Sequence, residues 1–186
     1  MKKNFGVKTA CYPMPVFIIG TYDENGNPDA MNAAWGGIAD DNQINICLSK
    51  EHKTVKNLLK TGAFTVHMAD VSHAAECDYV GIISAEKEPE KLKKCGFTVT
   101  KSEFVNAPVI NELPMVIECK VVSYDEKTSR LLGTIENIAI EEDCLKADGK
   151  PDVKKLAPIT YDSFNHDYIA LGEVVGKAFS DGKKYL

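Results

Sequence analysis

The chain has 186 residues, 44% hydrophobic and 26% charged, with a net charge of −5. This composition fits a single domain over 1–186 whose core needs neither metal nor disulfide, and it argues against disorder. The acidic balance speaks against nucleic-acid or membrane partners, no stretch reaches the ~20 apolar residues of a bilayer span, and without a signal-like run at the amino terminus the default expectation is cytoplasmic.

Val16 to Tyr22 is an apolar run bounded by Pro15 and Asp23, and predicts a strand. Asn25-Gly26 then signals a hairpin turn, because both residues tolerate positive φ. The return strand is expected over about Asp29 to Gly37, with a turn at Asp40-Asp41-Asn42. Ile44, Ile46 and Leu48 alternate with Asn45, Cys47 and Ser49, the period of a half-buried strand. From His52 to Thr61 the period changes: Val55, Leu58 and Leu59 share a helical face, and Gly62 supplies a stop. Phe64, Val66 and Met68 return to alternation.

Two short helices are expected over about His73 to Val80 and from Pro89 to Gly96. Met115–Tyr124 and Leu131–Ile140 read as strands joined by a hairpin at Asp125 to Arg130. Ala147 to Lys150 is a turn, and the segment from Ile159 to Gly176 is mixed, with Tyr161, Phe164 and Tyr168 closely spaced. Successive strands joined by hairpins favour a mainly β, antiparallel barrel with short inserted helices over a doubly wound sheet. Neither G-x-G-x-x-G nor a P-loop is present.

The six cysteines form no close pair, so they read as free thiols without a metal site. Cys47 and Cys119, inside apolar strands, are expected to be buried. Cys77 lies in a more polar stretch, where exposure and a redox role are open to it.

Two local runs carry candidate chemistry. Ser49, His52, Lys53 and Thr54 place hydroxyls, an imidazole and an ammonium around a helix start, the setting in which backbone N–H groups hold a phosphate. A plainer role fits as well: Ser49 or Thr54 caps the helix and Lys53 is a solvated charge. Upstream, Asn32-Ala33-Ala34 and Gly36-Gly37 leave backbone accessible to the polar edge of a flat ring, and Trp35 packs on that ring or shields it. Here the plainer role is close barrel packing with Trp35 in the core. A donor or cation near N1 and the C2 carbonyl would raise the reduction potential of a flavin; Lys53, His52 and His166 are candidates. His67 and His73 read as a polar strand residue and a surface helix residue.

In this order the segments resemble the flavin reductase-like family, closest to its flavoredoxin branch. Beyond the two runs above, the likeness covers Gly62-Ala63-Phe64-Thr65-Val66-His67, Asp78-Tyr79-Val80-Gly81 with Ser84, Glu90-Lys91-Leu92 with Gly96, Glu118-Cys119-Lys120-Val121, Leu132-Gly133-Thr134-Ile135, and Tyr168-Ile169-Ala170-Leu171-Gly172. The resemblance implies an FMN-binding split barrel in which Ser49, Lys53 and Thr54 hold the FMN phosphate and Asn32, Ala33, Ala34 and Trp35 line the ring. It also implies that Lys91 reaches the cofactor or its phosphate, from the neighbouring subunit if need be, that His166 and Tyr168 border the ring, and that the protein is a homodimer. The expected activity is FMN-dependent electron transfer from NADH, NADPH or a redox protein to a flavin, ferric or protein acceptor. No side chain is required as acid or base, because the cofactor carries the hydride chemistry. A flavoredoxin-like electron carrier and a non-redox flavin-binding module are the alternatives.

Overall fold

A computed structural model describes all 186 residues. Its strands are β1 (Phe17–Tyr22), β2 (Pro28–Ala33), β3 (Gly36–Asp40), β4 (Gln43–Cys47), β5 (Ala63–Met68), β6 (Val99–Lys101), β7 (Pro108–Ile110), β8 (Met115–Asp125), β9 (Arg130–Ile140), β10 (Ile159–Asp162) and β11 (Asp167–Ala170). The helices are α1 (Lys53–Thr61), α2 (Ala74–Ile82), α3 (Lys91–Lys94) and α4 (Val153–Leu156). No helix is long and apolar enough to cross a membrane.

Seven strands form one antiparallel sheet in the order β2-β1-β5-β8-β9-β4-β3. β2 and β3 lie at opposite edges of that sheet, yet only Ala34 and Trp35 join them. Three Cα steps reach at most roughly 11 Å. The sheet must therefore curl until its edges nearly meet, and the two edges remain unpaired: a split barrel. This corrects the single return strand expected over Asp29 to Gly37, which is two strands with the seam between them. Alternation alone does not reveal such a crossing, since the small residues on either side suit one strand equally well.

Phe17, Ile19, Ile44, Ile46, Phe64, Val66, Ile117 and Leu131 fill the barrel, and α1 closes it with Val55 and Leu58. Leu59 instead faces out, and Asn57 takes the buried position, donating from Nδ2 to Thr21 Oγ1 at 3.2 Å. Gly62 ends α1 in the left-handed region at φ 72°, with its N–H bonded to Leu58 O.

A second apolar layer lies outside β1 and β5. Val16, Ile18 and Ala30 pack there against Cys77 and Val80 of α2, Leu92 of α3, Phe97 and Ile110. β1 and β5 are thus covered on both faces, although Thr65 and His67 had suggested a half-buried β5. The small β6–β7 hairpin, in a stretch given no assignment from sequence, and the β10–β11 hairpin, within the segment read as mixed, complete this cover.

Burial also reassigns the thiols. Cys119 is buried as expected. Cys47 is exposed, because its neighbours Ile46 and Leu48 take the inward positions of the strand. Cys77, on the inward face of α2, is fully buried, and burial pushes its thiol up to about 12, which leaves no reactive thiolate near neutral pH.

His67 is held neutral between the layers. Ile110 N–H donates to its Nε2 at 2.9 Å, so Nδ1 carries the proton toward Ile18 O at 3.2 Å. Burial lowers its pKa from 6.5 to about 4. The unfolded chain therefore takes up this proton first as pH falls. Stability from this site is complete above about pH 6.5 and is lost as pH drops toward 4, a change of about 3 kcal/mol. Urea unfolding of the wild type and His67→Gln across pH 4–8 should show that part of the slope only in the wild type.

Candidate functional site

The seam carries the first of two adjoining cavities, of about 340 Å³. Asn32, Ala33, Ala34 and Trp35 form its barrel side, Asp78, Gly81 and Ile82 of α2 a second wall, and Tyr161, His166 and Tyr168 of the β10–β11 hairpin a third. Trp35 is 51% exposed at the rim and is not a core residue. A Cβ on Gly81 would stand 2.7 Å from Asn32 Cβ, so only glycine lets α2 approach β2 this closely. Gly36 and Gly37, grouped with the ring by sequence, border a different, apolar cavity of about 450 Å³.

Hydrogen bonds fix the walls. Asn32 Nδ2 donates to Cys77 O at 3.1 Å and to Tyr168 Oη at 3.3 Å; Tyr168 in turn donates to Asp78 Oδ1 at 2.7 Å. Burial, with the Asp78 carboxylate adding to it, pushes the Tyr168 phenol up, so it stays a neutral donor. Tyr161 Oη lies 2.7 Å from His166 Nδ1. His166 sits at φ 62°, where side chains are rarely found, and is held there by its N–H bond to Asp162 O at 2.8 Å. Asp162 also accepts from Phe164 N–H, Asn165 Nδ2 and the Tyr12 hydroxyl. The Tyr12 bond first, then those of Asn165 and Phe164, hold its carboxyl down at about 2.

The second cavity, of about 230 Å³, shares Asn32, Gly81 and Ile82 with the first and continues to His52, Lys53 and Thr54 at the start of α1. His52 occupies the cap position without a side-chain capping bond, and no acidic residue lies in the first turn. The N–H groups of Lys53 and Thr54 have no partner in the protein. Unpartnered N–H groups, the positive end of a nine-residue helix and a lysine converge on one hollow, a setting suited to a phosphate.

Three residues expected here are placed differently. Ser49 is exposed and borders neither cavity; its Oγ accepts from Glu51 N–H at 3.4 Å. The Thr54 hydroxyl is buried and donates to Asp29 Oδ2 at 2.7 Å, leaving only its backbone N–H toward the hollow. Lys91 borders the cavity but is only 2% exposed: its ammonium meets Asp29 Oδ1 at 3.1 Å, Val80 O at 3.0 Å and Ile83 O at 2.9 Å. Its ammonium thus donates to two carbonyls near the end of α2 and pairs by charge with Asp29, whose Oδ1 accepts no hydrogen bond, so within its own chain it braces α2 against β2. Lys53 keeps a loose contact, 3.9 Å, with Asp23. His67 and His73 lie outside both cavities. Tyr161 joins the site although its position 127 residues beyond Ala34 left no local signal, and Asp78 joins it from within a run noted only as part of a motif.

Residues 9–162 match the family model described as "Flavin reductase like domain". The chain is similar to the flavoredoxin of Desulfovibrio vulgaris (Miyazaki F), at 38% identity and a TM-score of 0.94, covering 98% of this chain and 100% of that one. It is similar to the flavoredoxin of Methanosarcina acetivorans, at 29% identity and a TM-score of 0.87, covering 100% and 98%. An uncharacterized protein of Aquifex aeolicus is 27% identical over 122 residues, and the match spans 60% of each chain.

Gly81→Ala should force α2 away from Asn32 and cost ~1–3 kcal/mol by overpacking. Gly37→Ala, where nothing lies within 4 Å, is the matched control and should unfold in urea close to wild type.

Proposed function

We propose that this chain, which belongs to the flavin reductase-like family, binds FMN across the two cavities and serves as an oxidoreductase, passing electrons from a reduced nicotinamide or a redox protein to a flavin, ferric or protein acceptor. The observation that carries this reading is the continuity of the cavities: a walled hollow at the seam opens, past Asn32 and Gly81, onto the bare N–H groups of α1. A planar ring with a phosphate on a flexible chain matches that shape and donor set.

The residues divide the work of binding. Ala33 and Ala34 keep bulk away from the ring, Asn32 and Tyr168 present fixed polar groups to it, and Trp35 shields the rim. Lys53 and the first N–H groups of α1 hold the phosphate, with His52 beside them. His166, steadied by Tyr161, offers a donor at the hairpin side. When bound, FMN supplies the hydride and electron chemistry; the protein supplies position, desolvation and charge.

A flavoredoxin-like carrier, reduced by a protein partner and not by a nicotinamide, is the second reading. The 38% identity to a flavoredoxin over nearly the whole chain favours it. We further propose a homodimer, because Val174, Val175, Phe179 and Leu186 project almost fully exposed from the carboxyl-terminal segment, an arrangement that a second copy would cover.

The purified protein should be yellow, and anaerobic NADH or NADPH should bleach it within a stopped-flow trace if it is a reductase; a flavin that bleaches only with a protein donor identifies the carrier. A charge-assisted phosphate contact contributes roughly 1.5–3 kcal/mol. Lys53→Ala should therefore weaken FMN binding about ten- to a hundredfold and riboflavin binding far less, measured by flavin fluorescence titration. Equal losses for the two ligands would remove Lys53 from the phosphate site.

A further inference from the structure

Charge is unevenly distributed along the two cavities. Among the residues around the seam cavity Asp78 is the sole carboxylate, and none is Lys or Arg. The adjoining cavity holds Lys53 together with the Lys91–Asp29 pair, whose charges offset each other. His166, the other titratable base at the seam, has its Nδ1 engaged by Tyr161. The Asp78 side chain is itself restrained: Tyr168 donates to Oδ1 at 2.7 Å, and Tyr168 is held in turn by Asn32. The carboxylate thus has a fixed place on the wall and no cation beside it.

We propose that Asp78 is a redox-tuning residue, whose fixed negative charge disfavours reduced FMN relative to oxidised FMN at the seam. This rests on the functional reading above. Reduction adds two electrons and one proton to the ring, so the product carries one more negative charge than the oxidised form. A carboxylate held in a partly desolvated wall opposes that added charge, and the positive groups, Lys53 and the first N–H groups of α1, belong to the adjoining cavity and not to the seam. By linkage, what disfavours the reduced state lowers the reduction potential of the bound flavin and makes it a stronger reductant. Asp78 acts here by position and charge, without exchanging a proton with the ring.

The test measures affinity for both redox states in the full-length chain. Oxidised FMN is titrated by fluorescence quenching. Reduced FMN is titrated anaerobically with excess dithionite, which is oxidised to sulfite as it supplies the two electrons. Asp78→Asn retains an oxygen to accept from Tyr168 and removes the charge. It should lower the ratio of the reduced-state Kd to the oxidised-state Kd by about tenfold. Asp78→Glu, which restores the charge, should bring the ratio back to within about threefold of wild type. Tyr168→Phe removes the restraint and leaves the carboxylate; it should weaken both states while the ratio stays within about threefold. Should Asp78→Asn fail to fold, Asp78→Ser, also neutral and able to accept from Tyr168, takes its place with the same expected ratio.

If the neutral variant changes both affinities by the same factor, Asp78 only supports Tyr168 and the tuning role is overturned, while FMN binding stands. If the wild type binds FMN in neither state, the functional reading falls and the tuning role falls with it.

Discussion

The Ala34–Trp35 link ties together two strands at opposite edges of the same sheet, and the shape of the molecule follows from its shortness. Seven strands must curl far enough for two residues to bridge the gap. Because Ala33 at the end of β2 and Ala34 in the link are small, and Trp35 lies out at the rim, the gap stays open as a hollow and is not plugged by side chains. Everything else at the seam is arranged around that opening: α2 lies against β2 through Gly81, and the β10–β11 hairpin supplies the aromatic wall.

A buried polar cluster sets how the second cavity is built. Asp29 on β2 accepts from Thr54 at the head of α1 and faces Lys91 at the head of α3, while Lys91 also bonds the last carbonyls of α2. Three helices and an edge strand thus converge on one carboxylate. Removing a single member of such a cluster leaves an unpaired buried charge and typically costs several kcal/mol, whereas the intact set contributes far less net stability. Its value lies in geometry: it aims the start of α1 at the cavity and keeps α2 at a constant distance from the seam. The first N–H groups of α1 and Lys53, which border the same cavity, take no part in this cluster.

Much of this was legible in the sequence where the signal is local. The Asn25-Gly26 and Asp125–Arg130 hairpins, the β4 alternation and the α1–Gly62 boundary depend on neighbours within a few residues, and the elements appear close to where the pattern puts them. The crossing at Ala34–Trp35 was hidden because small residues suit a continuous strand as well as a seam. Asn32 through Trp35 and His52 through Thr54 were recognisable as runs, and the fold brings both to one continuous hollow. Side-chain commitments were not recognisable. That Thr54 donates to Asp29 while Lys91 pairs with it, and that Asp78 faces Tyr168 across 90 positions, are facts of tertiary packing that spacing cannot encode. The reversal at Cys47 is different: the alternation of Ile44, Ile46 and Leu48 already implied an outward thiol, and residue type outweighed period in the expectation.

Tyr12 and Asp162 are joined across 150 positions, and the hairpin whose turn Asp162 opens is the aromatic wall of the seam. The seven barrel strands, in contrast, are complete by Ile140. During synthesis the barrel is therefore able to close while its ligand hollow still lacks one side. Joining the early Tyr12 segment to the late hairpin carries the entropy of a long loop. The order follows from the chain itself: the scaffold is available first, and the seam hollow gains its aromatic wall only once the β10–β11 hairpin has been made.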